Sequence, residues 1–157
     1  HFSDNAHKEL LPDEVHDIFM KDFVNRQNRL RFIGAKQEGN VGEKVRVSVE
    51  LEFDNQSYVV LTEGTGRLDC VSNAIKQVTG KQYLLESYTQ HAIEEKSSAK
   101  AATYIGVMLN DITYWGAGIH ADIVVSSIRA LITAINRLLE LEGRTDLYRY
   151  MSNKKKE

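Results

Sequence analysis

Two stretches decide the fold of this chain: Gly64-Thr65-Gly66-Arg67-Leu68-Asp69-Cys70-Val71-Ser72-Asn73-Ala74-Ile75 and Gly116-Ala117-Gly118-Ile119-His120-Ala121-Asp122-Ile123-Val124-Val125-Ser126-Ser127. Each begins with a Gly-x-Gly turn and continues with apolar residues at the spacing of a helix face. Each also follows a short run of β-forming residues, at positions 58–63 and 112–115. The repeated pattern predicts two similar halves with the functional site between them.

The residues around these stretches predict the same order of elements in both halves. In the first half, residues 31–80, apolar and polar side chains alternate along the strands, and Gly80 is the expected helix stop. The second half, residues 81–145, repeats this order. The predicted strands are 31–36, 45–53, 58–63, 83–93, 101–109 and 112–115, and the second helix is predicted at 121–141. The predicted fold class is α+β, with two pseudo-symmetric strand-strand-strand-helix units.

The two ends of the chain differ in pattern from the units. Residues 1–30 are predicted to be a helical segment separate from the two units, because Leu11-Pro12-Asp13-Glu14 has the proline and acidic residues of a first helical turn. An apolar stripe at helical spacing follows, formed by Leu11, Val15, Ile18, Phe19 and Phe23. Residues 146–157, with their polar and lysine-rich end, are predicted to be a solvated tail.

The composition limits the function classes. The 157 residues, 42% of them hydrophobic, suffice for one core and are too few for two large domains. The 20 basic and 22 acidic residues leave a net charge of −2, which gives no electrostatic drive towards nucleic acid or anionic membrane. A single cysteine, Cys70, permits no intramolecular disulfide, and no run is long enough to cross a bilayer. The expectation is a cytoplasmic protein with neither nucleic acid nor membrane as partner.

The residues that usually carry catalysis do not form a recognisable constellation. The five histidines include no His-x-His or His-x-x-x-His pair, so a shared metal site is not predicted. Cys70 follows a glycine turn near a helix start, yet no base is assignable beside it, and a packed residue is favoured. Neither Gly-x-Gly completes a dinucleotide or P-loop motif. What remains is a general capacity to bind a small anion, such as a carboxylate, on helix-start amides.

An ordered series of motifs resembles the C-terminal regulatory domain of 2-isopropylmalate synthase, over about residues 31–140. The resemblance begins at Gly64-Thr65-Gly66-Arg67-Leu68-Asp69 and continues through Leu84-Leu85-Glu86-Ser87-Tyr88-Thr89-Gln90-His91-Ala92, Ala99-Lys100-Ala101, Trp115-Gly116-Ala117-Gly118-Ile119, Ser126-Ser127-Ile128-Arg129-Ala130 and Ala134-Ile135-Asn136-Arg137. The predicted helix at 11–23 resembles the segment that links the catalytic barrel of that enzyme to its regulatory domain.

The resemblance implies a regulatory role in leucine biosynthesis. In that family the barrel condenses acetyl-CoA with 2-ketoisovalerate using a divalent metal, and the C-terminal domain binds leucine and inhibits the barrel by feedback. This chain is too short to hold a (β/α)₈ barrel. The resemblance therefore implies a fragment without catalytic residues, metal or cofactor of its own, which forms a homodimer and acts on its own catalytic barrel in the full-length enzyme.

The family's effector pocket, carried over by motif, falls on ten residues of this chain. Leu68, Leu85 and Ile119 would contact the aliphatic side chain of leucine, and Asp69 would attract its ammonium group. The full implied set is Gly64, Gly66, Leu68, Asp69, Leu85, Tyr88, Ala92, Ala99, Ala101 and Ile119.

Two alternatives stay open beside a leucine sensor. Citramalate synthases carry a similar domain that responds to isoleucine, and the two amino acids differ only in the position of one methyl branch. The chain is alternatively a dimerisation scaffold without an effector, in which Tyr114, Trp115 and the small residues of the last helix serve assembly. An enzyme in its own right ranks third.

Overall fold

The computed structural model of the chain describes residues 28–95 and 98–155. The described elements, in chain order, are β1 (Leu30–Val41), β2 (Lys44–Phe53), β3 (Gln56–Gly64), α1 (Arg67–Thr79), β4 (Leu84–Glu95), β5 (Ser98–Leu109), β6 (Ile112–His120) and α2 (Ile123–Lys155). Two antiparallel sheets, β1-β2-β3 and β4-β5-β6, are each followed by a helix. The predicted α+β class with two strand-strand-strand-helix units is confirmed. The predicted linker helix at 11–23 lies outside the described residues.

Equivalent two-residue turns close the second hairpin of each sheet. Asp54 and Asn55 have φ of 49° and 67°, and Asn110 and Asp111 have φ of 52° and 65°. Positive φ at both central residues gives a turn whose twist matches that of the flanking strands, and Asn and Asp tolerate this backbone region. The turn fixes the register, with Phe53 opposite Gln56 in the first sheet. Both turns lie where the sequence predicts them.

One apolar core includes side chains from both units. The alternation along β2 places Val47, Val49 and Leu51 on one buried face of the first sheet, while Ile105 and Val107 do the same in the second sheet. The helices fill the space against these faces. The fully buried members from the helices are Cys70, Val71, Ala74 and Ile75 of α1 and Ala130, Leu131, Ile132, Ala134, Ile135 and Leu138 of α2.

The second Gly-x-Gly differs from its prediction as a turn. Gly116 and Gly118 lie inside β6, where they pair with Ile105 and Thr103. A Cβ on Gly116 would lie 2.3 Å from the backbone nitrogen of Ala134, and one on Gly118 would lie 2.1 Å from the carbonyl oxygen of Ser126. These glycines are needed because the backbone of α2 packs directly on β6. The small residues of α2 thus admit a neighbouring backbone, as their pattern predicts.

Helix α2 also extends further than predicted. The sequence predicts that this helix ends at 141 and that residues 146–157 form a tail. In the structure the helix continues to Lys155. Helix formers such as leucine, glutamate, arginine and lysine are frequent beyond residue 141, and they sustain the helix after its apolar stripe weakens. The polar composition of this segment therefore does not mark the end of the helix, and the predicted end at 141 is wrong. In α1, by contrast, Gly80 adopts φ of 72° and ends the helix as predicted.

A buried polar contact joins the first unit to α2. The Oδ1 of Asn136 accepts a hydrogen bond of 2.9 Å from the backbone N–H of Leu30, and its Nδ2 donates one of 2.8 Å to the Leu30 carbonyl. Nδ2 also donates to the carbonyl of Ile132 within α2 at 3.1 Å. The Asn136 amide therefore bonds both backbone groups of the first residue of β1, much as a neighbouring strand would.

Candidate functional site

Four of the ten predicted site residues meet at the β3–α1 junction. Gly64 ends β3, Gly66 precedes α1 in an extended conformation, and the carboxylate of Asp69 folds back over the turn. Its Oδ2 accepts a 2.9 Å hydrogen bond from the backbone N–H of Thr65. A Cβ on Gly64 would lie 2.5 Å from that same oxygen, so only glycine leaves room for the carboxylate. Leu68 lies beside this turn in the first turn of α1.

The starts of the two helices differ in how they are capped. No side chain caps α1 at Gly66. At α2, the Oδ1 of Asp122 accepts hydrogen bonds from the backbone N–H groups of Val124 and Val125, at 2.8 and 3.3 Å. A helix start attracts anions through N–H groups that lack a partner within the helix. Of the two helix starts that the structure describes, only that of α1 therefore presents amides without a side-chain cap to an incoming carboxylate.

Three other predicted residues line one cavity of about 300 Å³ at the start of α2. Ala92 on β4 pairs with Ala101 on β5, and Ala99 lies two residues before Ala101 on the same face of β5. The small alanine side chains create space that larger residues would fill. Among the described residues, the lining consists of Gln90, His91, Ala92, Ala99, Lys100, Ala101, Ala121 and Ile123, all from the second unit.

A hydroxyl cluster ties the edge of this cavity to α2. The Tyr88 hydroxyl lies 2.7 Å from the Oγ of Ser127, and Gln90 donates to the same Oγ at 3.3 Å and to the Tyr88 hydroxyl. One residue earlier on α2, the Oγ of Ser126 lies 2.7 Å from the Oγ1 of Thr103 on β5. Two adjacent serines thus connect the first turns of α2 to two strands of the second sheet.

The remaining two predicted residues lie apart from this cavity. Leu85 is on β4 beyond a register shift and pairs with Val107, towards the opposite end of the strand from Ala92. Ile119 pairs with Ala102, whereas Ala101 pairs with His120. Because side chains alternate along a strand, Ile119 is on the opposite sheet face from Ala101. A binding role for all ten residues stays a prediction.

Sequence reasoning missed five of the residues that line the cavity at the start of α2, and it missed the cap of that helix. Gln90 lies between Tyr88 and Ala92 at a spacing of two, so strand alternation would have placed it on the same face. Ile123 lines the cavity from the first turn of α2. Asp122 directly precedes an apolar helical run, which is the usual signature of a capping residue. Ordinary strand and capping rules would have identified Gln90 and Asp122.

Cys70 is a packed residue, as the sequence favours. Its side chain is buried, and its Sγ lies 3.5 Å from the carbonyl oxygen of Val45. Burial raises the pKa of the Cys70 thiol above its ordinary value. Since the thiolate is the reactive form, this environment lowers the reactivity of the residue.

We expect Cys70 to be protected from thiol reagents in the native protein, because both burial and the raised pKa disfavour an accessible thiolate. Reaction with an aromatic disulfide at pH 8 should be slow until denaturant is added, and then complete. The variant Cys70→Ser/Ser57→Cys, which moves the thiol to an exposed strand position, provides the fast reference. Equal rates for the two thiols in native buffer would contradict the prediction.

Within 28–95 and 98–155, no three His, Cys, Asp or Glu side chains are grouped closely enough to hold a metal ion. Over the same part of the chain, neither helix combines the length and apolar character that a membrane crossing requires.

Comparison with known proteins assigns the family. The family described as the LeuA allosteric (dimerisation) domain matches residues 9–139. This chain belongs to that family. It is 41% identical to a 2-isopropylmalate synthase of Desulfitobacterium hafniense (strain Y51), over 88% of this chain and 25% of that protein. It is 31% identical to a 2-isopropylmalate synthase of Helicobacter hepaticus (strain ATCC 51449 / 3B1), over 87% of this chain and 26% of that protein. This chain thus spans about a quarter of the length of these two relatives.

Proposed function

We propose that this LeuA domain is the leucine-binding regulatory part of a 2-isopropylmalate synthase and that it acts as a homodimer. The observation that carries the proposal is the cavity of about 300 Å³ at the start of α2, lined by Ala92, Ala99 and Ala101. Its volume and its small apolar walls suit a single branched amino acid, since ligand sites begin near ~300 Å³. Catalysis, with its divalent metal, is assigned to a barrel elsewhere in the full-length enzyme.

The three chemical groups of leucine have complementary partners in the domain. The proposal assigns the isobutyl group to the alanine-lined cavity, where Ile123 adds apolar surface. Because the described residues that line this cavity all belong to the second unit, the carboxylate is assigned to the amides at the start of α1 in the other copy of the homodimer, which no side chain caps. The ammonium group is assigned to Asp69 of that same copy, whose Oδ2 accepts hydrogen bonds from the N–H and the hydroxyl of Thr65. Binding would thus stabilise one arrangement of the two units across the homodimer.

Helix α2 is the element through which binding in the cavity would act. Its first turns are bonded through Ser127 to Tyr88 and through Ser126 to Thr103. A ligand beside Gln90 and Ile123 changes the packing at that end of the helix, which is 33 residues long. A two-state shift of α2 would carry a coupling energy of about 1–3 kcal/mol, which is usual for allosteric proteins.

Two other functions remain candidates for specific reasons. An isoleucine-sensing domain of a citramalate synthase would use the same cavity, and the position of one methyl branch changes binding by only about 1–3 kcal/mol. A dimerisation scaffold without an effector is favoured by exposed apolar side chains on strands, with Val59 70%, Leu61 56% and Trp115 49% exposed. The sensor is preferred because the scaffold gives the alanine-lined cavity no role.

We expect calorimetric titration with leucine to show saturable binding, with weaker binding of isoleucine and valine run in parallel. Ala92→Leu should reduce leucine affinity at least about tenfold, because the added side chain occupies the cavity. Thr89→Leu adds an apolar side chain to the exposed opposite face of the same strand and serves as the matched control with unchanged affinity.

The outcomes separate the candidate functions. A preference for isoleucine would assign the domain to the citramalate synthase type. If sedimentation shows a folded dimer and calorimetry shows no binding of any of the three amino acids, the scaffold function is favoured. Equal loss of affinity in Thr89→Leu and Ala92→Leu would show that the cavity is not the binding site.

A further inference from the structure

A second cavity, of about 160 Å³, lies where β1 of the first unit meets α2 of the second. Phe32 provides the wall from β1. The wall from α2 is one helix face, because its residues follow the spacing of three and four that places side chains side by side. That face consists of Val125, Ile128, Arg129 and Ile132. No lining residue is shared with the alanine-lined cavity, so the two are separate sites.

The lining of this inter-unit cavity combines apolar surface with a single positive charge. Arg129 is half-buried, and its Nη1 donates a 3.1 Å hydrogen bond to the carbonyl of Ile119. That bond fixes the orientation of the guanidinium, which carries five N–H donors in a planar fork that matches a carboxylate. The other four lining side chains that the structure describes are hydrocarbon. A fixed cation beside an aliphatic wall is suited to an aliphatic acid.

We propose that the inter-unit cavity binds a small branched aliphatic carboxylate that carries no ammonium group. The carboxylate bonds to Arg129, and the branched chain contacts Ile128, Ile132 and Phe32. No acidic side chain among residues 28–95 and 98–155 lines the cavity, so within this part of the chain the ammonium of an amino acid would be desolvated without a partner. The volume is about five times the ~30 Å³ share of one liquid water, which suits a short organic acid and excludes a nucleotide or a peptide.

Binding at this position joins the two units of the domain. Phe32 belongs to the first sheet, and the other lining residues belong to α2, so a ligand contacts both sides of the joint. A ligand that binds only the folded arrangement stabilises it in proportion to the logarithm of its concentration. The inference does not rest on leucine binding, because its ligand and its residues are different.

The test uses 3-methylbutanoate as the probe, titrated into the 157-residue chain and followed by calorimetry and by the shift in melting temperature. We expect saturable binding, with 3-methylbutan-1-ol and 3-methylbutylammonium binding at least about tenfold more weakly, because neither can pair with a guanidinium. Arg129→Met should weaken binding by a similar factor. Arg31→Met is the matched control, since Arg31 neighbours Phe32 on β1 and has its side chain on the opposite, exposed face.

Two further variants make the result decisive. Val125→Phe retains Arg129 and fills the cavity, so it should also abolish binding, and it replaces Arg129→Met if that variant fails to fold. Ala92→Leu fills only the alanine-lined cavity, so it should leave 3-methylbutanoate affinity unchanged even where it abolishes leucine binding. The proposal is overturned if 3-methylbutanoate shows no saturable binding, if the alcohol binds equally well, or if the folded Arg129 and Val125 variants bind like the parent chain.

Discussion

Gly118→Ala is expected to separate α2 from β6 and to unfold the second unit. The new Cβ would lie 2.1 Å from the carbonyl oxygen of Ser126 and 2.6 Å from the backbone nitrogen of Ala130. Both neighbours belong to the helix backbone, which cannot rotate away as a side chain does. Overpacking a core commonly costs about 1–3 kcal/mol, and a clash with backbone on this scale belongs at or above the upper end. Gly116→Ala should act in the same way.

The measurement is urea unfolding followed by circular dichroism and by Trp115 fluorescence. Gly34→Ala is the control, because a Cβ on this β1 glycine meets no atom within 4 Å and its φ is not positive. That variant should stay within about 1 kcal/mol of the parent chain, with stabilisation as its expected direction. If the midpoint of Gly118→Ala matched that of Gly34→Ala, α2 would not lie against β6 as closely as the structure shows.

The strand order and the second hairpin turn of each unit could be predicted from local signals. Alternation along β2 and the turn residues Asp54, Asn55, Asn110 and Asp111 are properties of a few neighbouring residues, and each determines register without knowledge of the rest of the chain. The C-terminal stop of α1 at Gly80 is local in the same sense.

The difference between the two Gly-x-Gly motifs could not be predicted in this way. Glycine serves both where the backbone turns and where another backbone approaches closely, and the sequence pattern is the same in the two cases. Gly66 precedes a helix, whereas Gly116 and Gly118 lie inside a strand because α2 packs on them. Only the tertiary contact with Ala130 and Ala134 distinguishes these roles.

Local signals also predict the placement of part of the candidate site. Residues that share a strand face, such as Tyr88 and Ala92, follow from alternation, and the pairing of Ala92 with Ala101 follows from the register of β4 against β5. The cap of α2 by Asp122 has a local signature as well. The inter-unit cavity has no such signature, because Phe32 and Arg129 are about a hundred residues apart and meet only when the units pack.

Asn136→Leu is expected to cost about 3 kcal/mol or more of unfolding free energy. The side-chain amide bonds the N–H and the carbonyl of Leu30 at 2.9 and 2.8 Å, and both residues are buried. Leucine of similar size would leave two buried backbone groups without a partner, at about 1–3 kcal/mol each. Since β1 and α2 belong to different units, the loss should fall on the contact between them. Urea unfolding and hydrogen exchange at Leu30 measure the two consequences.

Asn73→Leu is the matched control for this prediction. Asn73 lies on α1 and donates one hydrogen bond of 3.0 Å to the carbonyl of Glu63 at an exposed position, where water replaces a lost donor. Its substitution should cost less than about 1 kcal/mol. If apolar packing alone held the units together, Asn136→Leu would be neutral, because it adds hydrocarbon to a core that already contains Ile132 and Ile135. A loss in Asn136→Leu with little change in Asn73→Leu would therefore assign the joint between the units to the Asn136 amide.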